Sequence, residues 1–541
     1  MVNARSTSYL RRAVVAAIVW CVLPLALPTV HAQNRPLQAP APLKLKSSQT
    51  PQTPQAPAGQ TMQISMDQAV QMALETNLGL KSNKLNLGIA SQNIASARSA
   101  FGPQLIGSFS RNTKDEPPSD FTNASSLIVS TEFVSAGATL QQNMPWYGGR
   151  YSIQWGGSRS TTSAELNPFN PTLGSRMTLG YVQPLLRGFK IDGNRANLES
   201  TEMQYSITDL NVQQAVVQTE SAVKTAYLRL IGAIAALEVA NKNMNIAQES
   251  LRQAKAKIAV GQAAQIDAIQ TEANVASNED NVIFAEAAVS TAEDNLRSLI
   301  FDPARPDYWS AHLVPAEQDV PVNPRQIDVD GAIKNALANR LDLQVQRRSM
   351  QITALNQRLN TDLTKVAVDF NATYVAAGTA GTKFTYGTGF PPPVLSQSDR
   401  PYSSALGDTF GYAYPNWTLG VQVAYPIGQT AAKAAVARTQ IVQEQQETDL
   451  HNLELNVTLA VRDAARQVET NLKRVAATRT AREANERQLE AEERKSEVGL
   501  ATTFDVLQKQ TILAQSRTIE LQAKIAYNQS LIDFERVQKI R

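Results

Sequence analysis

The sequence holds one cysteine, three histidines, few aromatics and no long apolar run beyond its N-terminus, and each shortage removes a class of protein. Cys21 falls inside a segment expected to be cleaved off, so disulfides and thiolate chemistry are excluded from the mature chain. His312 and His451, the histidines outside that segment, stand in no metal-ligand spacing and read as solvated side chains. Aromatics at 6% of 541 residues are too sparse for several thick cores, and suit long Ala- and Gln-rich helices better. A formal net charge of +3, with no Lys/Arg block past the N-terminus, gives no footprint for nucleic acid, and none is expected as a partner. Past the N-terminus nothing approaches the roughly 18 continuous apolar residues of a spanning helix, so any membrane segment of the exported chain has to be built from strands. The glycine-rich stretch 378–389 lacks the strand-loop-helix setting and the lysine of a phosphate cradle, and reads as loop. No cofactor, metal or catalytic constellation is expected.

What is present begins with an export signal. Arg5, Arg11 and Arg12 precede an apolar stretch over 13–27, and Val30-His31-Ala32 supplies a small-residue cleavage site, so residues 1–32 read as a signal peptide. Pro24, Pro28 and the shortness of the stretch argue against a membrane anchor. Residues 33–61 carry Pro36, Pro40, Pro42, Pro51, Pro54 and Pro57 with almost nothing to bury, the composition of a disordered linker.

A repeated pattern follows. Ser65 with Gln68 three residues on is a capping box, and Met66, Ala69, Val70, Ala73 and Leu74 keep helical spacing. A second helix runs from about Leu78 until Phe101-Gly102-Pro103 stops it. Alternating segments at Gln104 to Asn112, Ala136 to Met144, Tyr151 to Ser160 and Met177 to Val182 read as strands. Trp146, Tyr147, Tyr151 and Trp155 gather around the turn joining the middle two, as a membrane-interface girdle would, or as aromatics of a soluble β-subdomain would. From Gly193 to Gly261 only Gly232 interrupts a stripe of small and apolar residues, a helix of roughly 100 Å. It turns and comes back over about 266–299. After a Pro-rich connector at 303–326, Asp330-Gly331-Ala332-Ile333-Lys334-Asn335-Ala336-Leu337 repeats the phrase Asp67-Gln68-Ala69-Val70-Gln71-Met72-Ala73-Leu74, and the whole scheme starts again. The expected domains are therefore a first repeat over 62–302 (strands about 104–182, helical hairpin about 193–300) and a second over 327–541 (strands about 366–425, helical hairpin about 429–540). Within the second, residues 377–415 read as a Gly/Pro/Tyr-rich loop.

The hairpins turn at matching tips. Val260-Gly261-Gln262-Ala263-Ala264-Gln265-Ile266-Asp267-Ala268-Ile269-Gln270 and Val498-Gly499-Leu500-Ala501-Thr502-Thr503-Phe504-Asp505-Val506-Leu507-Gln508 share Val, Gly, Ala, Asp and Gln at the same places. Gly261 and Gly499 stand where a helix must reverse and a left-handed residue is needed. With these tips, the duplicated Ala-x-x-x-Ala-Leu phrase and the strand-ending Gln183-Pro184-Leu185-Leu186 and Tyr425-Pro426-Ile427, the chain from about Met62 to Ile540 resembles the TolC family of outer-membrane efflux proteins. The resemblance implies a mainly α fold with a membrane β-region: a homotrimer whose α-helical barrel in the periplasm joins an outer-membrane β-barrel. It also implies that a periplasmic membrane-fusion adaptor and an inner-membrane pump dock at the tips, around Val260, Gly261, Val498, Gly499 and Leu500. Asp267, Gln270, Asp505 and Gln508 become candidates for the periplasmic aperture, and outer-membrane lipid becomes a partner. Physics favours several copies independently, since a few strands per chain cannot close a barrel alone and the Ala-rich hairpins leave flanks uncovered.

Three departures from the family stand out. Members usually contribute four strands per protomer, and the segments at 136–144 and 151–160 either add a hairpin or decorate the barrel. Where well-studied members carry a second Asp after the one matching Asp505, this chain has Gln508, so an acidic constriction would be less charged. The second half also lacks a Pro matching Pro103, so its helix-to-strand corner at Lys365-Val366 is built differently. Asp505 itself has two readings, a ring of negative charge at the mouth or the acid of a capping box begun by Thr502. The resulting expectation is a passive channel of a tripartite efflux or type I secretion system, not an enzyme, in the outer membrane. The rival is a periplasmic coiled-coil adaptor or scaffold, against which two tandem hairpins argue.

Overall fold

The computed structural model describes residues 61–118, 128–261, 264–306, 308–317, 320, 322–389, 392–425, 427–428, 430–498 and 500–538. The signal peptide, nearly all of the linker, Gly499 and Pro426 lie outside the described residues. In chain order the first half comprises β1 (Thr61–Ile64), α1 (Met66–Thr76), α2 (Leu78–Ser99), β2 (Gln104–Glu116), β3 (Val129–Asn143), β4 (Arg150–Thr162), β5 (Phe169–Pro184), α3 (Gly193–Ala259) and α4 (Gln265–Ile300). The second comprises β6 (His312–Pro315), α5 (Val329–Asn339), α6 (Leu341–Leu363), β7 (Ala367–Tyr386), β8 (Val394–Arg400), α7 (Tyr402–Phe410), β9 (Pro415–Ala424), α8 (Thr430–Glu497) and α9 (Thr503–Gln538).

The duplication is physical. Ser65 caps α1 by accepting the Gln68 amide at 3.3 Å, and the Gln68 side chain returns a bond to the Ser65 amide at 3.1 Å. At α5 the corresponding cap is Asp328, which accepts the Gly331 amide at 3.0 Å. The same small residues are then buried one turn apart, Ala69 and Ala73 in one copy, Ala332 and Ala336 in the other, followed by Leu80 and Leu343. Small side chains there let the short helices lie close on the long ones. Each half has its own core. Val223, Tyr227 and Leu230 of α3 meet Leu296 and Ile300 of α4 in the first; Val457, Val461 and Val468 of α8 meet Ala523 and Tyr527 of α9 in the second. Both buried tyrosines satisfy their hydroxyls on backbone carbonyls, Tyr227 on Ile64 (2.8 Å) and Tyr527 on Asn323 (2.7 Å). Gly232, the interruption in the long stripe, is a packing residue: a Cβ there would lie 2.3 Å from Cδ1 of Ile525 on α9.

The strands form one antiparallel sheet in the order β2-β3-β4-β5-β7, with β9 along one stretch of the far edge of β7 and β8 along the next. A separate parallel pair joins β1 to β6. Two sequence expectations need correction. Residues 377–415 are not simply loop: β7 continues to Tyr386, and β8 and α7 follow. The run Ala376-Ala377-Gly378-Thr379-Ala380-Gly381 looks like loop because it is small; its members Ala376, Gly378 and Ala380 share the face on which α7 lies, a Cβ at Gly378 being 2.0 Å from the Ala405 carbonyl oxygen, and a Cβ at Gly381 would meet the Pro171 carbonyl. The residues just after the linker and those of the connector also each form a strand, β1 and β6, too short to show a period.

The corner lacking a proline is made by charge. Asp362, 3% exposed, accepts the Gly188 amide at 2.6 Å and pairs with the Lys365 ammonium at 2.5 Å, tying the end of α6 to the segment after β5.

Candidate functional site

Each long helix ends where its backbone must reverse. At the first tip Gly261 has φ +73°, its amide bonds to the Ile258 carbonyl at 3.0 Å, and no atom lies within 4 Å of where a Cβ would stand. The glycine is there for its left-handed backbone, not for space. Helix α4 then starts with half a capping box: Asp267 accepts the Ala264 amide at 3.2 Å, and Ala264 has no hydroxyl to reciprocate. At the second tip the Leu500 amide bonds to the Lys495 carbonyl at 2.8 Å. Helix α9 starts with a full box, in which Asp505 accepts both the Thr502 amide (2.9 Å) and its hydroxyl (2.6 Å), while the Asp505 amide donates to the Thr502 hydroxyl oxygen (3.2 Å). Those hydrogen bonds to the Thr502 side chain and backbone, with smaller help from Lys495 and Lys509, hold the Asp505 carboxyl below its ordinary range.

The tips are apolar at their ends. Val260 and Val498 are each 69% exposed and Leu500 78%, with Ile266, Ile269 and Phe504 also exposed. Such side chains cost solubility unless something covers them. Asp267 and Gln270 occupy the first turns of α4, and Asp505 and Gln508 those of α9; each carboxylate is engaged with the start of its own helix. Between the two hairpins near the tips runs a groove of about 500 Å³ that includes Lys242, Glu249, Lys257, Glu493, Glu497 and Gln510. Nothing in the sequence singles it out, because its residues are ordinary solvated positions on separate helices.

The aromatic group divides. Trp146 and Tyr147 sit on the β3–β4 turn and are exposed, Tyr147 stacking on Phe189 with ring centroids 4.9 Å apart. Gln183 donates to the Tyr147 carbonyl at 2.7 Å, so this turn lies at the helix end of the sheet. Tyr151 is beside it, bonding Gln142. Trp155 is farther up the strand, opposite Ala138 and Met177, with its indole N–H on the Ser175 hydroxyl at 3.4 Å.

The sheet has two chemically distinct faces. Pairing registers put Phe109, Ala138, Ile153, Trp155, Met177, Leu179, Phe370, Trp417, Leu419, Val421 and Val423 on one side, with the charged Arg111, Glu132 and Arg159 on the same side toward the end away from the helices. The other carries Ser108, Ser110, Thr139, Ser152, Gln154, Thr178, Asn371, Thr373, Thr418 and Gln422, with Ile106, Val129, Phe133, Phe169, Val182 and Val375 as large apolar members and Arg150, Arg176, Asp369 and Lys383 as charged ones. Alternation of this kind is how a strand separates lipid from water. Among the described residues no helix is long and apolar enough to cross a membrane, and no cluster of metal-binding side chains occurs.

Comparison with known proteins agrees with this geometry. The outer membrane efflux protein BepC of Brucella suis biovar 1 (strain 1330) is 23% identical over 463 residues, spanning 84% of this chain and 81% of that protein. The fold is shared with the CmeC outer membrane channel of Campylobacter jejuni (TM-score 0.63, 13% identity, 87% of this chain and 85% of that one). It is also shared with the open state of the MtrE outer membrane channel of Neisseria gonorrhoeae (TM-score 0.59, 15% identity, 87% and 88%). The family model for outer membrane efflux proteins matches residues 69–300 and 389–537. An adaptor or scaffold is thereby excluded, and the chain belongs to the outer membrane efflux protein family, whose members are passive outer-membrane channels of tripartite efflux systems.

Proposed function

We propose that three copies of this chain form one conduit, its sheets closed into a barrel within outer-membrane lipid and its helical hairpins forming a hollow cylinder on the periplasmic side. The observation that carries this is the incompleteness of a single copy. Among the described residues, the outer strands of the sheet, β2 on one side and β8 and β9 on the other, have one edge of backbone groups without a partner strand. On the helices, Leu85 and Ile89 of α2, Ile283 and Phe284 of α4, and Ile441 and Leu455 of α8 are exposed. Neighbouring copies supply both missing surfaces, and the apolar face of the sheet, outside the part that α7 covers at Gly157, Ser175 and Gly378, meets lipid acyl chains.

The tips gather at the periplasmic mouth in this arrangement. Val260, Gly261, Val498, Gly499 and Leu500 offer an apolar rim for a membrane-fusion adaptor, which links the channel to an inner-membrane pump that supplies the energy. Asp267, Gln270, Asp505 and Gln508 surround the aperture as a weakly acidic ring, with Asp505 also capping its own helix. The test is purification of the full chain from outer-membrane fractions and measurement of its mass in detergent. Three copies per particle are expected; a soluble monomer after export overturns the reading.

A further inference from the structure

We infer that the β3–β4 hairpin is part of the barrel wall, so that each copy contributes six strand positions and three copies close an eighteen-stranded barrel. The inference rests on the three-copy reading above and concerns the width of the exit.

Four observations carry it. The hairpin is paired along nearly all of its length on both flanks, β3 to β2 over Val129 to Gln141 and β4 to β5 over Arg150 to Ser160, so excluding it would break two ladders. Its turn lies at the helix end of the sheet, locked there by Gln183 and Phe189, and at the same end Asn143 donates to the Ala100 carbonyl at 3.0 Å. The two strands therefore run from the far end of the sheet in to the helix side and back out, spanning its height as wall strands do; an external decoration would keep to the far end. Third, the hairpin keeps the two-faced pattern of the other strands, with Ile153 and Trp155 on the apolar face and Ser152 and Gln154 on the polar one. Finally, β8 and β9 share one edge of β7 in succession, with α7 between them, so they count as one position around the ring and the total per copy is even.

Barrel diameter grows roughly in proportion to strand number, so eighteen strands make an exit about half again as wide as the twelve that four strands per copy would give. At that size the centre is an aqueous channel, lined here by polar side chains such as Thr139, Ser152 and Ser158 together with the charged Arg150, Arg176 and Asp369.

The full chain in lipid nanodiscs, imaged by electron cryo-microscopy, decides the matter. A ring of eighteen strands from three copies is expected. A twelve-stranded ring with β3–β4 projecting from it overturns the inference and leaves three copies intact; another copy number overturns the trimer while the strands per copy stay countable. A second measurement uses single cysteines introduced after Cys21, in outer-membrane vesicles: Ile153→Cys and Trp155→Cys should label with a lipid-soluble maleimide, and Ser152→Cys and Gln154→Cys with a hydrophilic one. Equal labelling of all four by the hydrophilic reagent places the hairpin outside the wall and overturns the inference.

Discussion

The two halves of the chain agree in their helices and differ in their strands. The long helices have 67 and 68 residues and the return helices 36 each, whereas the first half has four long strands and the second has β7 with the broken lane of β8 and β9. Long helices packed side by side constrain one another, because a shortened member leaves its neighbours' apolar stripes uncovered over every missing turn. A sheet is more permissive. Inserting one hairpin adds a strand out and a strand back, returns the chain to the end it left, and gives each new strand partners on both sides. The second half varies differently: α7 interrupts its outer lane and folds down onto Gly157, Ser175 and Gly378.

The equivalence of the helical halves is testable by matched truncation. Leu80 and Leu343 are 2% and 0% exposed at corresponding places, so Leu80→Ala and Leu343→Ala should each cost about 2–5 kcal/mol. Thermal unfolding of the purified protein in detergent measures both; a full cost at one site and none at the other breaks the equivalence. A smaller effect should separate the two helix-to-strand corners. Asp362→Ala strips the Gly188 amide of its acceptor and Lys365 of its partner, costing about 1–3 kcal/mol. Pro103→Ala in the first half gives up mainly unfolded-state restriction, about 0.4–1 kcal/mol. Equal losses would mean that both corners are held by the surrounding packing.

How far these features were legible in the sequence follows from how local their causes are. The helices, caps and tips were legible because Ser65 with Gln68, Gly261, and the repeated Ala phrase act within a turn of themselves. The residues that close the second corner were hidden because Asp362 works through Gly188, 174 positions away. The 377–415 region misled for a related reason: smallness at Gly378 answers to Ala405, a neighbour in space. The first tip was readable as a turn by symmetry between copies, but the groove lined by Lys242 and Glu497 was not, since its chemistry exists only where separate helices meet. Trp155 was grouped with Trp146 by nearness in sequence, and the pleat carries it up the strand instead.

The finest contrast lies between the two tips, one begun by a full capping box and the other by half of one. Thr502 holds the Asp505 carboxyl below its ordinary range, so the ionised acid is favoured in the folded tip. The sign follows: this contribution is fully present above the unfolded carboxyl pKa and is lost as pH falls through the lowered folded value. Because the tip is exposed and local, fraying rather than global unfolding is the observable, and amide hydrogen exchange of peptides covering 500–510 against those covering 264–275 reads it. Asp505→Asn should speed exchange at neutral pH and abolish the acid-dependent step, and Thr502→Ala should do much the same by removing the hydroxyl. Asp267→Asn should change less, since Ala264 offers its carboxylate one amide only. An Asp267→Asn effect as large as that of Asp505→Asn would dissolve the distinction between the tips. If instead Asp505→Asn alters export while leaving exchange untouched, the carboxylate acts across the aperture and its capping role is secondary.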